Sequence, residues 1–168
     1  MKSNYLKIAL ILLLLPLIYF IWLLAQPVQI IAVHTNSHWT EVLVKNFPLT
    51  SRGKVDWWES NKTRLKEKYG MPETDNDGRY SITFWDFGNG YEIEQPDKST
   101  FFPSKDTDHL FCFEDMKVKA RCIRKENILM NINTTSENLI RFDANGDVYY
   151  QDKNGKISEG ERFSYTVK

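Results

Sequence analysis

Hydrophobic residues are distributed in three different ways along the chain. The first is a solid block: residues 8–25 read IALILLLLPLIYFIWLLA, 18 positions without a charge. At about 1.5 Å per residue, a helix of that length covers roughly 27 Å, close to the hydrocarbon thickness of a bilayer. Tyr5, Tyr19 and Trp22 stand toward its ends, where amphipathic rings favour the interface. Pro16 is better tolerated inside a bilayer than in water. The block predicts a transmembrane anchor over 8–25. Its alternative is a cleaved signal peptide, but the run exceeds the ~7–15 residues of a signal h-region. The nearest cleavage candidate, Leu23-Leu24-Ala25, also has a bulky residue where a small one is preferred.

The second pattern is alternation. Residues 28–34 are rich in β-branched side chains and, with 41–47, predict two strands around a turn at Thr35 to Ser37. Only Gln26-Pro27 separates the first strand from the anchor, so the domain sits against the membrane. Residues 79–87 alternate as a strand should, Gly88-Asn89-Gly90 reverses the chain, and 91–94 returns it. From His109 onward the pattern predicts short strands near 109–114, 118–124, 127–133, 138–143, 147–151 and 162–167. Asn145-Gly146 and Asn154-Gly155 are the dipeptides that two-residue hairpins require. Residues 95–108, with Phe101-Phe102 as their apolar pair, are the longest irregular stretch.

The third pattern is helical. Val55, Trp58, Leu65 and Tyr69 fall on one face of a helix, and Asp56, Glu59, Lys62, Lys66 and Glu67 on the other. Thr50 or Ser51 can cap its start, and Gly70 before Pro72 marks its end. Together the patterns predict an α+β chain: a transmembrane helix, then a small antiparallel-sheet domain covered by one helix.

Charge sets the orientation. The chain of 168 residues has 22 basic and 22 acidic residues, a formal net charge of zero. That balance argues against electrostatic nucleic-acid binding. Lys2 and Lys7 precede the apolar block, and the next basic residue is Lys45. The positive-inside rule therefore predicts residues 1–7 in the cytoplasm, 8–25 in the bilayer and 28–168 on the far side. The two cysteines, Cys112 and Cys122, both fall in that exported part. An even pair in an oxidising compartment favours a disulfide stapling a hairpin. Two free thiols or a redox pair are the alternatives, though no Cys-x-x-Cys spacing occurs.

Sequence motifs for chemistry are weak. His34 and His38 are four apart, which suits a metal only on a helix, and the flanks read as strand and turn. Asp143-Ala-Asn-Gly-Asp147 resembles the start of a calcium loop but places its Gly fourth rather than sixth, so a hairpin explains it better. No nucleophile elbow and no phosphate-cradling glycine loop occurs. The acids Glu92, Glu94, Glu114 and Asp115 could pair across strands, but solvated strand edges are the commoner use. No catalytic, metal or cofactor residues are predicted.

The order of features then becomes specific: a basic N-terminus and anchor, Ile31-Ala-Val-His34, Glu41-Val-Leu-Val-Lys-Asn-Phe-Pro48, and Trp57-Trp58. Thr83-Phe-Trp-Asp-Phe-Gly-Asn-Gly-Tyr91 and Phe111-Cys-Phe-Glu-Asp-Met-Lys117 through Cys122 complete the set. This resembles the enterobacterial family called domain of unknown function 943, uncharacterised single-pass inner-membrane proteins. The resemblance implies a bacterial inner-membrane location and periplasmic exposure, and it carries no activity or functional residues. The leading expectation is a non-enzymatic interaction domain held to the bilayer by residues 8–25, immunity-like in its specialised form, with an unidentified protein partner. Trp57, Trp85, Phe101 and Phe102 are its candidate anchors, since aromatics dominate hot spots; the alternative is that most are core. An envelope hydrolase or lipid-modifying enzyme working around His109 and the 95–108 segment is the contrasting class. An accessory subunit of a membrane complex is the third.

Overall fold

The computed structural model of the chain describes residues 26–95 and 109–160, with 12, 14–16 and 19 from the apolar block. Those few positions in the block are helical, and the rest of it lies outside the described residues. Among the described residues no helix is long and apolar enough to cross a membrane.

Among the described residues, ten strands and one long helix build the domain. They are β1 Gln29–Asn36, β2 Trp39–Lys45, α1 Ser51–Tyr69, β3 Ser81–Asp86, β4 Glu92–Ile93 and β5 Leu110–Cys112. β6 Ala120–Arg124, β7 Ile128–Thr134, β8 Ile140–Ala144, β9 Asp147–Gln151 and β10 Ile157–Glu159 follow. Seven strands form one sheet in the order β1-β2-β3-β7-β8-β9-β10, and the others form a second, β4-β6-β5. The expected antiparallel meander is corrected in two respects. β2 and β3 run parallel, because α1 between them supplies the length a parallel crossover needs. The chain also leaves the main sheet after β3 to build the small sheet, then returns beside β3 as β7.

Local chemistry sets the boundaries. Thr50 caps α1, accepting the Gly53 N–H at 3.1 Å. Gly70 ends it in the left-handed region, φ 72°, its N–H reaching the Lys66 carbonyl. Asn145 and Gly146 both take positive φ, 50° and 82°, as a two-residue hairpin demands. The same turn was expected at Asn154-Gly155, but only Gly155 has positive φ there. Asp152 instead organises a wider loop, its carboxylate accepting from the N–H groups of Asn154 and Lys156. The strand expected over 162–167 lies outside the described residues, and Ile157–Glu159 pairs with β9.

Alternation divides the main sheet into two unlike faces. Val42, Val44, Ile82, Phe84, Met130, Ile132 and Phe142 face α1 and bury Val55, Trp58 and Leu65 beneath it. Helix and sheet are also pinned by polar contacts. Lys54, 2% exposed, donates to the Leu129 carbonyl at 2.8 Å and to Asn145 Oδ1 at 2.6 Å. Burial lowers its pKa. Ser51 donates to Asp147 at 2.7 Å. On the opposite face Leu43 and Trp85 pack with Phe113 and Ile123 of the small-sheet region in a second, smaller core. The small sheet covers only part of that face.

Candidate functional site

Where the small sheet stops, a cleft of about 990 Å³ opens against the main sheet. Its floor is a row set by strand register: His34 on β1 lies opposite Glu41 on β2, Glu41 beside Thr83 on β3, and Thr83 opposite Asn131 on β7. The β1–β2 turn and Trp39 form one wall, and Phe111, Phe113 and Asp115 the other. Trp39 is 54% exposed and Ile128 43%, so the mouth carries accessible apolar surface.

Two hydrogen-bonded groups occupy the floor. His34 bridges the sheets, with Nδ1 2.7 Å from Asp115 Oδ2, Nε2 2.8 Å from the Tyr91 hydroxyl, and its ring stacked on Phe113 at 4.1 Å. Burial, reinforced by the Asp115 charge, raises the Tyr91 pKa. Both ring nitrogens of His34 are engaged, with the donor and acceptor roles set by the ring's tautomer. Tyrosine, histidine and aspartate in line resemble a nucleophile–base–acid relay, and the same two hydrogen bonds tie the small-sheet region to β1. The second group is Glu41, which accepts the Trp85 indole N–H at 2.5 Å. Burial raises its carboxyl pKa, opposed by the hydrogen bonds from Trp85 and Thr83 and by His34.

The residues singled out from sequence are placed as follows. Cys112 and Cys122 face each other across β5 and β6 and form the disulfide, which fixes the strand that presents Phe111 and Phe113 to the cleft. Trp85, expected to be exposed, is 3% exposed. Its strand phase turns it under the small sheet, where it stacks on Phe111 at 5.2 Å while still bordering the cleft. Trp57 is half-buried on the helix side, against Phe47 and Phe84. Phe101 and Phe102 lie outside the described residues. His109 is outside the cleft lining, its Nδ1 buried without a hydrogen-bond partner among the described residues. Among the described residues one group offers metal-ligand atoms close together, Glu94 with Cys112 and Cys122, and both sulfurs are committed to the disulfide.

Sequence reasoning missed Trp39, Glu41, Tyr91 and Ile128, and it treated His34 only as a metal candidate. Glu41 had a legible signal, because it shares the inward strand phase of Leu43 and so is an acid where an apolar residue would be ordinary. His34 and Asp115 are 81 residues apart, and nothing in local spacing connects them.

The family described as "Enterobacterial putative membrane protein" (domain of unknown function 943) matches residues 1–160. The chain belongs to this family. The cleft residues and the disulfide all lie within the matched span. No curated protein and no solved structure matches the chain.

Proposed function

We propose that the protein is a tethered binding protein of the bacterial envelope. Residues 8–25 anchor it in the inner membrane, 1–7 stay in the cytoplasm, and the domain from residue 28 faces the periplasm and receives a segment of another protein in its cleft. The observation that carries this reading is Trp39, a large indole more than half exposed at the mouth of a concave, aromatic-walled site. The immunity-like form of this reading, in which the partner is an incoming toxin, rests on the tethered architecture alone.

A photo-crosslinking residue at Trp39 in intact envelopes tests it, with the same residue at exposed Lys68 on α1 as the control. A discrete adduct with an envelope protein at 39 and none at 68 is expected. Equal labelling at both positions, or none at 39, overturns the reading. For the immunity-like form, deletion should matter only when a toxin gene is present beside it. A C-terminal reporter that folds only in oxidising space should be active; activity solely of a cytosolic reporter would reverse the topology.

An envelope hydrolase is the second reading, and Glu41 favours it: a carboxyl with a raised pKa in a concave site is a candidate general acid. Turnover of lipid or peptide substrates by the purified chain, lost in Glu41→Gln, would establish it.

A further inference from the structure

Glu41 lacks the partner that its surroundings call for. Its donors, the Trp85 indole N–H and the Thr83 hydroxyl, are both neutral. No lysine or arginine is ion-paired with it among the described residues, although Glu59, Glu92, Glu94 and Asp143 each have such a partner. His34, opposite it on β1, is the one basic side chain that acts on it, and both ring nitrogens of His34 are bonded to Asp115 and Tyr91 instead. A half-buried carboxylate so placed is electrostatically incomplete, because burial removes water without supplying a directly bonded counter-charge. The cleft around it is acidic as well as aromatic. Glu41, Glu114 and Asp115 line it against a single Lys125, and Trp39, Trp85 and Phe111 contribute ring surface. Exposed indole beside carboxylate is the environment in which a cation gains from both the ring quadrupole and the charge.

We infer that the cleft captures a guanidinium or ammonium side chain of a partner protein, seated between the Trp39 indole and the Glu41 carboxylate, with flanking apolar residues against Phe111 and Ile128. The inference rests on reading the cleft as a partner-binding site and specifies what enters it. A protein segment is favoured over a free amine or a lipid headgroup on two grounds. The cleft, at about 990 Å³, holds more than one side chain, and its mouth is apolar beside its charge. It is also built around the far half of β1 and the turn beyond it. His34 to Asn36 lie roughly 17–23 Å along the strand from Gln29, where the domain leaves its anchor, at ~3.3 Å per residue.

Fluorine NMR of the full chain in non-ionic micelles, with all five tryptophans as 5-fluorotryptophan, provides the test. The probes are acetyl-Leu-Arg-Leu-amide, its lysine analogue, its neutral citrulline isostere, and free spermidine. The arginine or lysine peptide should shift the Trp39 and Trp85 resonances saturably and leave Trp57 and Trp58 unmoved. The citrulline peptide should bind at least about tenfold more weakly, as loss of a charge-assisted contact predicts. Glu41→Gln should cost the cationic peptide about tenfold and the citrulline peptide nothing, with unchanged Trp57 and Trp58 resonances reporting an intact core. Citrulline binding within about threefold of arginine, or unimpaired binding by Glu41→Gln, overturns the inference. Spermidine binding more tightly than either peptide overturns the protein source. If no probe binds while the Trp39 crosslink persists, the cationic ligand is wrong and the binding reading survives; if the crosslink also fails, both fall.

Discussion

Glu41 shows how one side chain can be set against its environment. Its pKa is raised above 4.5 in the folded state, so the native protein holds that proton more tightly than the unfolded chain does. The group's contribution is most favourable below 4.5 and is lost as pH rises through the folded value. Glu41→Gln keeps an acceptor for the Trp85 indole and removes the charge. Denaturant midpoints should therefore show the variant gaining on wild type between pH 4 and pH 7; a constant difference would contradict the raised pKa. His34 presents the opposite case, a polar side chain with every valence used. His34→Ala removes two hydrogen bonds and a ring stack and should cost about 2–3 kcal/mol. Hydrogen exchange should locate the loss, with β5 and β6 amides exchanging faster and those of α1 unchanged.

Among elements, α1 has the most definite ends. Thr50→Ala deletes the cap and should cost about 1 kcal/mol in thermal or chemical denaturation. Gly70→Ala meets nothing within 4 Å, so its cost, again about 1 kcal/mol, comes from the left-handed backbone alone. Gly70→Asn should recover part of it. Both ends were legible because capping chemistry is local. The parallel pairing of β2 with β3 was not. Strand patterns report which side chains are buried, and the direction of a neighbour depends on how the connecting helix packs. The partition into two sheets was hidden for a related reason: β4, β5 and β6 are only two, three and five residues long, too short for periodicity to assign a face.

At the scale of the whole molecule, the small sheet acts as a wall whose position makes the cleft. Three features hold it: the packing of Trp85 with Phe111, Phe113 and Ile123, the bonds from His34 to Tyr91 and Asp115, and the staple between its own strands. Reduction of Cys112–Cys122, or the double serine variant, should destabilise the domain by about 2–3 kcal/mol. The effect should concentrate in the wall, so the Trp39 and Trp85 resonances should broaden before those of Trp57 and Trp58. Uniform loss of all four would mean that the small sheet and the main sheet unfold as one unit.

The amino-acid order alone determined the continuous features: an apolar block fit for a bilayer, the alternation of strands, a capped helix and a cysteine pair on adjoining strands. Each depends on neighbours within a few residues, where propensity, capping and turn chemistry act directly. Only the tertiary structure decided that His34, Tyr91 and Asp115 meet, that Trp85 turns inward while Trp39 stays open, and that Glu41 lies half-buried with no lysine or arginine paired to it among the described residues. Those relations join positions tens of residues apart. They follow from strand order and from which part of a sheet face a second sheet leaves uncovered, neither of which local periodicity encodes.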